Sequence, residues 1–195
     1  MDVGIVGFGS IGTEVARALI SGVEDFSLYG ITSRSKSNAQ ERIDKLDKNI
    51  KIYDLEALVD NCEIIVDCAP KEAFRDIATK CINKERKLIT VSGSGILDNL
   101  DLEELAKTNN SQIILATGAI LGLDALRAAS ESNINSVTMT TRKPPNALSN
   151  APFVINNSIE LNNLLEPKLI FKGSATDGAK AFPANVNVAA AVGLA

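Results

Sequence analysis

The residues with the clearest chemical purpose stand near the start of the chain, where Gly7-Phe8-Gly9-Ser10-Ile11-Gly12 directly succeeds the apolar run Val3 to Val6. Each glycine has a physical task. Gly7 permits a tight turn, Gly9 lets backbone amides approach a pyrophosphate, and Gly12 lets the next helix pack closely on a strand. A helix opening at Ser10 and Ile11 would hold the anion with its free N–H groups and its dipole. The spacing therefore points to a dinucleotide. About twenty residues on, where Asp or Glu would bond the ribose 2′-hydroxyl, the chain offers Thr32, Ser33, Arg34, Ser35 and Lys36. Arg34, with Ser33 beside it, can clamp a 2′-phosphate through a charge-assisted bond, so NADP is favoured over NAD. An Arg34 that is merely solvated would leave both cofactors accepted.

Positioning such a loop requires alternating strands and helices. Val15, Ala16, Leu19 and Ile20 repeat at helical spacing over Thr13 to Ser21, and Ser27 to Thr32 reads as a strand. The polar stretch 35–49 reads as a surface loop or a short solvated helix, and Ile50 to Tyr53 as a third strand. Asp54 is placed to cap a helix over Leu55 to Asp60. Glu63 to Cys68 is a buried strand, Ala73 to Ile82 an amphipathic helix, Leu88 to Ser92 a strand, Leu102 to Lys107 a helix and Gln112 to Ala116 a strand. This rhythm predicts an α/β fold with an N-terminal Rossmann-type, doubly wound parallel sheet over residues 1–118. Beyond it the rhythm changes. A helix over Asp124 to Ser132, a period-2 strand over Ser136 to Thr141, a Pro/Asn-rich loop, a short helix and a strand over Lys168 to Phe171 predict a smaller α+β domain over 119–195. That domain would carry the substrate side.

Composition narrows the chemistry. The 195 residues contain no histidine, so this chain alone builds no Ser-His-Asp triad, no Cys-His nucleophile pair and no His-ligated zinc; no metal site is expected. With 20 basic against 24 acidic residues and no Trp, nucleic acid is a poor partner. No apolar run approaches the ~18 residues of a membrane span. Cys62, Cys68 and Cys81 are odd in number and lack CxxC spacing, which fits buried thiols in a reducing cytoplasm. Met1 leads straight into Asp2 without a positively charged leader.

Sharper signals come from five short blocks. Ala116-Thr117-Gly118-Ala119-Ile120-Leu121-Gly122-Leu123-Asp124-Ala125-Leu126 resembles the "SGAIxGLDAL" segment of the L-aspartate dehydrogenases. Thr141-Arg142-Lys143-Pro144-Pro145 is similar to that family's "RKPP" loop. Phe171-Lys172-Gly173-Ser174-Ala175 and Phe182-Pro183-Ala184-Asn185-Val186-Asn187-Val188-Ala189-Ala190 resemble its "F-x-G-S-A … [FY]-P-x-N-x-N-V-A" signature, and Val66-Asp67-Cys68-Ala69 its "VECA" strand end. The blocks occur in family order across nearly the whole chain. The resemblance implies oxidation of L-aspartate through iminosuccinate, or amination of oxaloacetate with ammonium. It also implies a homodimer and a product that can feed NAD synthesis.

By matched position, Ala119 and Asn187 correspond to the family's cofactor contacts. Ala119 lies just past the end of a Rossmann strand, where ligands bind, and the Asn187 amide offers both a donor and an acceptor from one turn inside an apolar helix. Cys68 and Ala69 would line the nicotinamide pocket, against plain core packing. Arg142 and Lys143 would bind the two carboxylates of a dianionic substrate, against a solvated strand end.

The chain also departs from the family. Ser92-Gly93-Ser94-Gly95 replaces a more usual "S-V-G-A", and the extra glycine should loosen that loop. The family's catalytic histidine lies downstream of the "NVNVA" helix, beyond Ala195, which leaves the catalytic acid–base group unknown. Val188 to Ala195 carries no polar side chain and no basic last turn, unlike most helix ends, so the second domain is expected to continue. Two other readings stand beside the resemblance: a non-catalytic NADP-binding fragment or sensor, and an oxidoreductase of the dihydrodipicolinate-reductase type.

Overall fold

A computed structural model of the chain describes residues 1–46, 49–116, 120–183 and 187–195. The chain divides into two compact units, Met1–Ala116 and Thr117–Ala195.

The first unit is a five-stranded, all-parallel sheet in the order β2-β1-β3-β4-β5. Its strands are β1 (Asp2–Val6), β2 (Ser27–Thr32), β3 (Ile64–Asp67), β4 (Lys87–Thr90) and β5 (Gln112–Leu115). Between them run α1 (Ser10–Gly22), α2 (Lys36–Asp44), α3 (Leu55–Asn61), α4 (Phe74–Asn83), α5 (Gly93–Leu97) and α6 (Asp101–Thr108). Strand side chains alternate between the two faces. Val3, Ile5, Ile64 and Val66 join Ala16, Ala39 and Ile43 in one buried cluster, under α1 and α2. Val6 and Ile65 join Leu58, Phe74, Ile77, Leu88 and Leu102 in the other, under α3, α4 and α6. Both faces are covered, as a doubly wound parallel sheet requires.

The helices arise from spacing and caps. Phe74, Ile77, Ala78, Cys81 and Ile82 repeat at helical intervals and are all buried, which seats α4 on the sheet. Asp54 caps α3: its Oδ1 accepts from the Ala57 N–H at 2.8 Å. The polar stretch after residue 35 contains a helix, α2, held by just two buried side chains, Ala39 and Ile43, and capped by Ser35. Ile50 to Tyr53 does not extend the sheet as a strand. Its backbone bonds to β2 run through Ile31, with Ile31 N–H donating to Lys51 O at 3.0 Å and Tyr53 N–H to Ile31 O at 2.8 Å, while the Tyr53 ring stacks on Tyr29. Asp54 begins α3 directly afterwards, so the segment leaves the sheet edge.

The described residues of the second unit form α7 (Leu123–Ser130), α8 (Pro152–Asn156), α9 (Ala175–Ala181) and α10 (Asn187–Leu194). Ala151, Val154 and Leu161 are its buried cluster. Phe153, Phe171 and Phe182 pack together at ring-centroid separations of 5.3, 5.7 and 5.6 Å. The segments 136–141 and 168–171, expected as strands, belong to no ladder among the described residues. Alternation makes a segment competent for a strand, but a strand forms only against a partner's backbone. Val137 and Leu169 are accordingly exposed.

Phe74 is fully buried at the meeting of α4, α5 and the sheet. Phe74→Ala should cost about 3–5 kcal/mol, read as a lowered urea midpoint.

Candidate functional site

Strand register brings the sequence motifs to one edge. Val6 pairs with Thr32 on one side and with Asp67 on the other, and Asp67 pairs with Thr90, which pairs with Leu115. The next residue of each strand (Gly7, Ser33, Cys68, Val91 and Ala116) therefore leaves the sheet at its carboxyl end, side by side with the others. Between β1 and β3 the winding reverses, and that crevice is where open α/β sheets bind ligands.

Gly7 sits at the reversal with φ +89°. A Cβ there would lie 2.6 Å from Ala69 N and 2.7 Å from the carbonyl carbon and oxygen of Cys68. Gly12 must also be bare, because its Cβ would run into the Gly7 carbonyl oxygen. Gly9 differs: nothing lies within 4 Å of its missing Cβ. Two glycines thus serve close backbone packing, and the third faces open space.

Gly9 is also the N-cap of α1, which has no side-chain cap and no acidic residue in its first turn. Thr13 returns to Gly9 O through both its N–H, at 3.0 Å, and its Oγ1, at 2.8 Å. The first-turn N–H groups of Ser10, Ile11 and Gly12 have no intrahelical acceptor. Ser10 and Ile11 are exposed at this point. A cradle with open space above uncapped amides fits a pyrophosphate.

Ser33 is half-buried and donates to Ser35 O at 3.3 Å, whereas Arg34 is exposed, with neither a hydrogen bond nor an ion pair to the described residues. Cys68 N–H donates to Val6 O at 2.7 Å, fixing the turn that carries Cys68 and Ala69 against Gly7. Burial pushes the Cys68 thiol up to about 12, Cys81 to about 12 and Cys62 to about 11. None of the three is a thiolate nucleophile at neutral pH.

The glycine-rich stretch after β4 is helical rather than loose. Ser92 caps α5, its Oγ accepting from Gly95 N–H at 3.2 Å. A Cβ on Gly95 would lie 2.6 Å from the Phe74 ring, so this glycine is a packing residue.

Arg142 and Lys143 belong to the second unit, exposed on an irregular stretch before Pro144. Asn187 is exposed in α10 (Asn187–Leu194), and the residues just before it, 184–186, lie outside the described ones. Ala119 lies outside the described residues. Among the described residues no group of His, Cys, Asp and Glu is placed to hold a metal ion, and no helix is long and apolar enough to cross a membrane.

Residues 7–116 match the family model described as the NAD-binding domain of homoserine dehydrogenase, and residues 124–195 match that of the aspartate dehydrogenase C-terminal region. The chain is 41% identical over 195 residues to L-aspartate dehydrogenase of Bradyrhizobium diazoefficiens, covering all of this chain and 69% of that protein. The chain belongs to the L-aspartate dehydrogenase family. A second member, from Methanocella arvoryzae, is 40% identical over 98% of this chain and 72% of its own length. The crystal structure of aspartate dehydrogenase from Thermotoga maritima shares the fold, with a TM-score of 0.75 at 24% identity over all of this chain and 73% of that one. Membership identifies the first unit as an NAD(P)-binding domain.

Sequence reasoning about this family site passed over Asp67. It ends an otherwise apolar strand and is 1% exposed. Its Oδ1 accepts from Ala69 N–H at 2.9 Å and its Oδ2 from Thr90 Oγ1 at 2.7 Å. A lone acid closing a run of Ile64, Ile65 and Val66 was the available signal.

The glycines separate under substitution. Gly7→Ala should lose about 1–3 kcal/mol of stability together with NADPH binding. Gly9→Ala should keep its melting temperature yet bind NADPH more weakly. Thermal melts and fluorescence titrations of both variants check this pair.

Proposed function

We propose that this protein oxidises L-aspartate to iminosuccinate, which water converts to oxaloacetate and ammonium, and that it also runs the reverse amination. The observation that carries the reading is whole-chain similarity to L-aspartate dehydrogenases, combined with an uncapped glycine cradle at the sheet's reversal point. The nicotinamide cofactor, when bound, accepts the hydride that leaves the substrate Cα. The chain's own residues bind and orient. Gly7, Gly9, Ser10, Ile11 and Gly12 hold the pyrophosphate, Cys68 and Ala69 line the nicotinamide side, and Ala119 and Asn187 complete the cofactor contacts. Arg142 and Lys143, on the substrate-side unit, neutralise the two substrate carboxylates.

NADP is the preferred cofactor in this reading. Support comes from Arg34, exposed just past β2 with its guanidinium uncommitted to the described residues, and from the lack of an acid at that strand end. The reading extends to a cytoplasmic homodimer whose imine product enters nicotinamide-nucleotide synthesis; three free cysteines support a reducing compartment.

The decisive assay monitors loss of reduced-nicotinamide absorbance with oxaloacetate, ammonium and NADPH. Turnover should require all three components. Turnover of a different oxoacid, with none of oxaloacetate, would remove the reading. Arg34→Asp should weaken NADPH by about ten- to a hundredfold, the worth of a charge-assisted bond of about 1.5–3 kcal/mol, and leave NADH no weaker. An unchanged NADPH-to-NADH affinity ratio would show that Arg34 does not meet the 2′-phosphate.

A further inference from the structure

Asp67 is the only charged side chain among the buried described residues, and no Lys or Arg among the described residues pairs with it. Burying a carboxylate without a cation costs several kcal/mol, so its two acceptors must do something an apolar residue could not. Each tethers a different loop. Oδ1 holds Ala69 N–H, and with it the Cys68–Ala69 backbone that closes on Gly7. Oδ2 holds Thr90 Oγ1, which in turn accepts from Ser92 N–H at 3.0 Å. Ser92 Oγ then caps α5 through Gly95 N–H. One carboxylate thus links the turn after β3 to the helix start after β4, and both flank the reversal point where Gly7 stands.

We propose that Asp67 is a positioning residue for the nicotinamide half of the cofactor, acting through Thr90 and Ser92 to lock the two loops that form that half's floor. The proposal rests on the NAD(P)-dependent reading above. The relay has a polarity: Thr90 donates to Asp67 and accepts from Ser92, so the carboxylate accepts from both loops at once. An amide keeps one acceptor and turns an N–H toward Thr90, whose buried hydroxyl proton then loses its acceptor. The direction of the Asp67 titration agrees, since burial pushes its carboxyl upward while the bonds from Thr90 and Ala69 pull it back toward the ionised form.

The test uses the full chain and two probes, NADPH and its adenosine half, adenosine 2′,5′-bisphosphate, titrated against Asp67→Asn, Thr90→Val and Thr90→Ser, with thermal melts alongside. Asp67→Asn and Thr90→Val should each weaken NADPH by at least about tenfold while the adenosine half binds as before. Thr90→Ser, which keeps the hydroxyl, should bind NADPH like the unsubstituted chain. Equal losses for both probes would reduce Asp67 to a residue of general stability and overturn the proposal, as would unchanged NADPH binding. If Asp67→Asn fails to fold, Thr90→Val alone decides, because it cuts the relay isosterically. An unsubstituted chain that binds neither NADPH nor NADH overturns the cofactor reading and this proposal with it. Normal binding by the unsubstituted chain with insensitive variants overturns this proposal alone.

Discussion

The close approach of two backbones at the middle of the sheet edge governs most of what surrounds it. Gly7 turns β1 out of the sheet with a left-handed φ, and the Cys68–Ala69 peptide occupies the space a side chain would need. The packing is backbone on backbone, so it leaves no flexible group to yield. Gly12 then has to be bare because the Gly7 carbonyl lies against α1. With the turn this tight, α1 starts immediately and aims its amino end over the reversal point. A wider turn would carry the helix start away from the strand ends, and the amides would face water.

The sheet supports this edge from both sides. Its two faces are separately filled, one by α1 and α2 and the other by α3, α4 and α6. Strand ends are held in register by evenly spaced parallel ladders, so Thr32, Val6, Asp67 and Thr90 terminate together. The outgoing segments of β1 to β4 are each tied down by a different device. There is a glycine turn after β1, a hydroxyl contact after β2, a carboxylate after β3 and a serine cap after β4. Family membership says which chemistry the edge serves; these ties say how an edge made of loops is kept in one geometry.

Features set by neighbours in sequence were the legible ones. Ser27 to Thr32 and the Asp54 cap depend on a few adjacent residues, and α4 on a repeat within ten. The polar helix α2 was ambiguous because only Ala39 and Ile43 mark its inner face. Long-range partners were hidden. Gly95 reads as a loosening residue in sequence, yet the Phe74 ring, twenty-one positions earlier, packs against it. Asp67 depends on Thr90, twenty-three positions on, and no local pattern announces such a pair. Ser136 to Thr141 shows the converse: its alternation is local and real, but a ladder needs a second backbone that alternation does not name. The glycine motif was readable as a whole, while the division of labour within it depends on tertiary contacts.

Desolvation of the cysteines carries a consequence for chemical selectivity. Cys68 follows β3 beside Gly7, at the carboxyl end of the sheet, and a thiolate is a nucleophile toward an imine or an oxidised nicotinamide ring. Desolvation pushes its thiol up to about 12, so the neutral thiol is the dominant form at neutral pH. The half-buried Cys68 sulfur therefore packs against the cluster under α1 and α2 as a small hydrophobe. Moving that thiol toward solvent would turn an inert packing atom into a competing nucleophile.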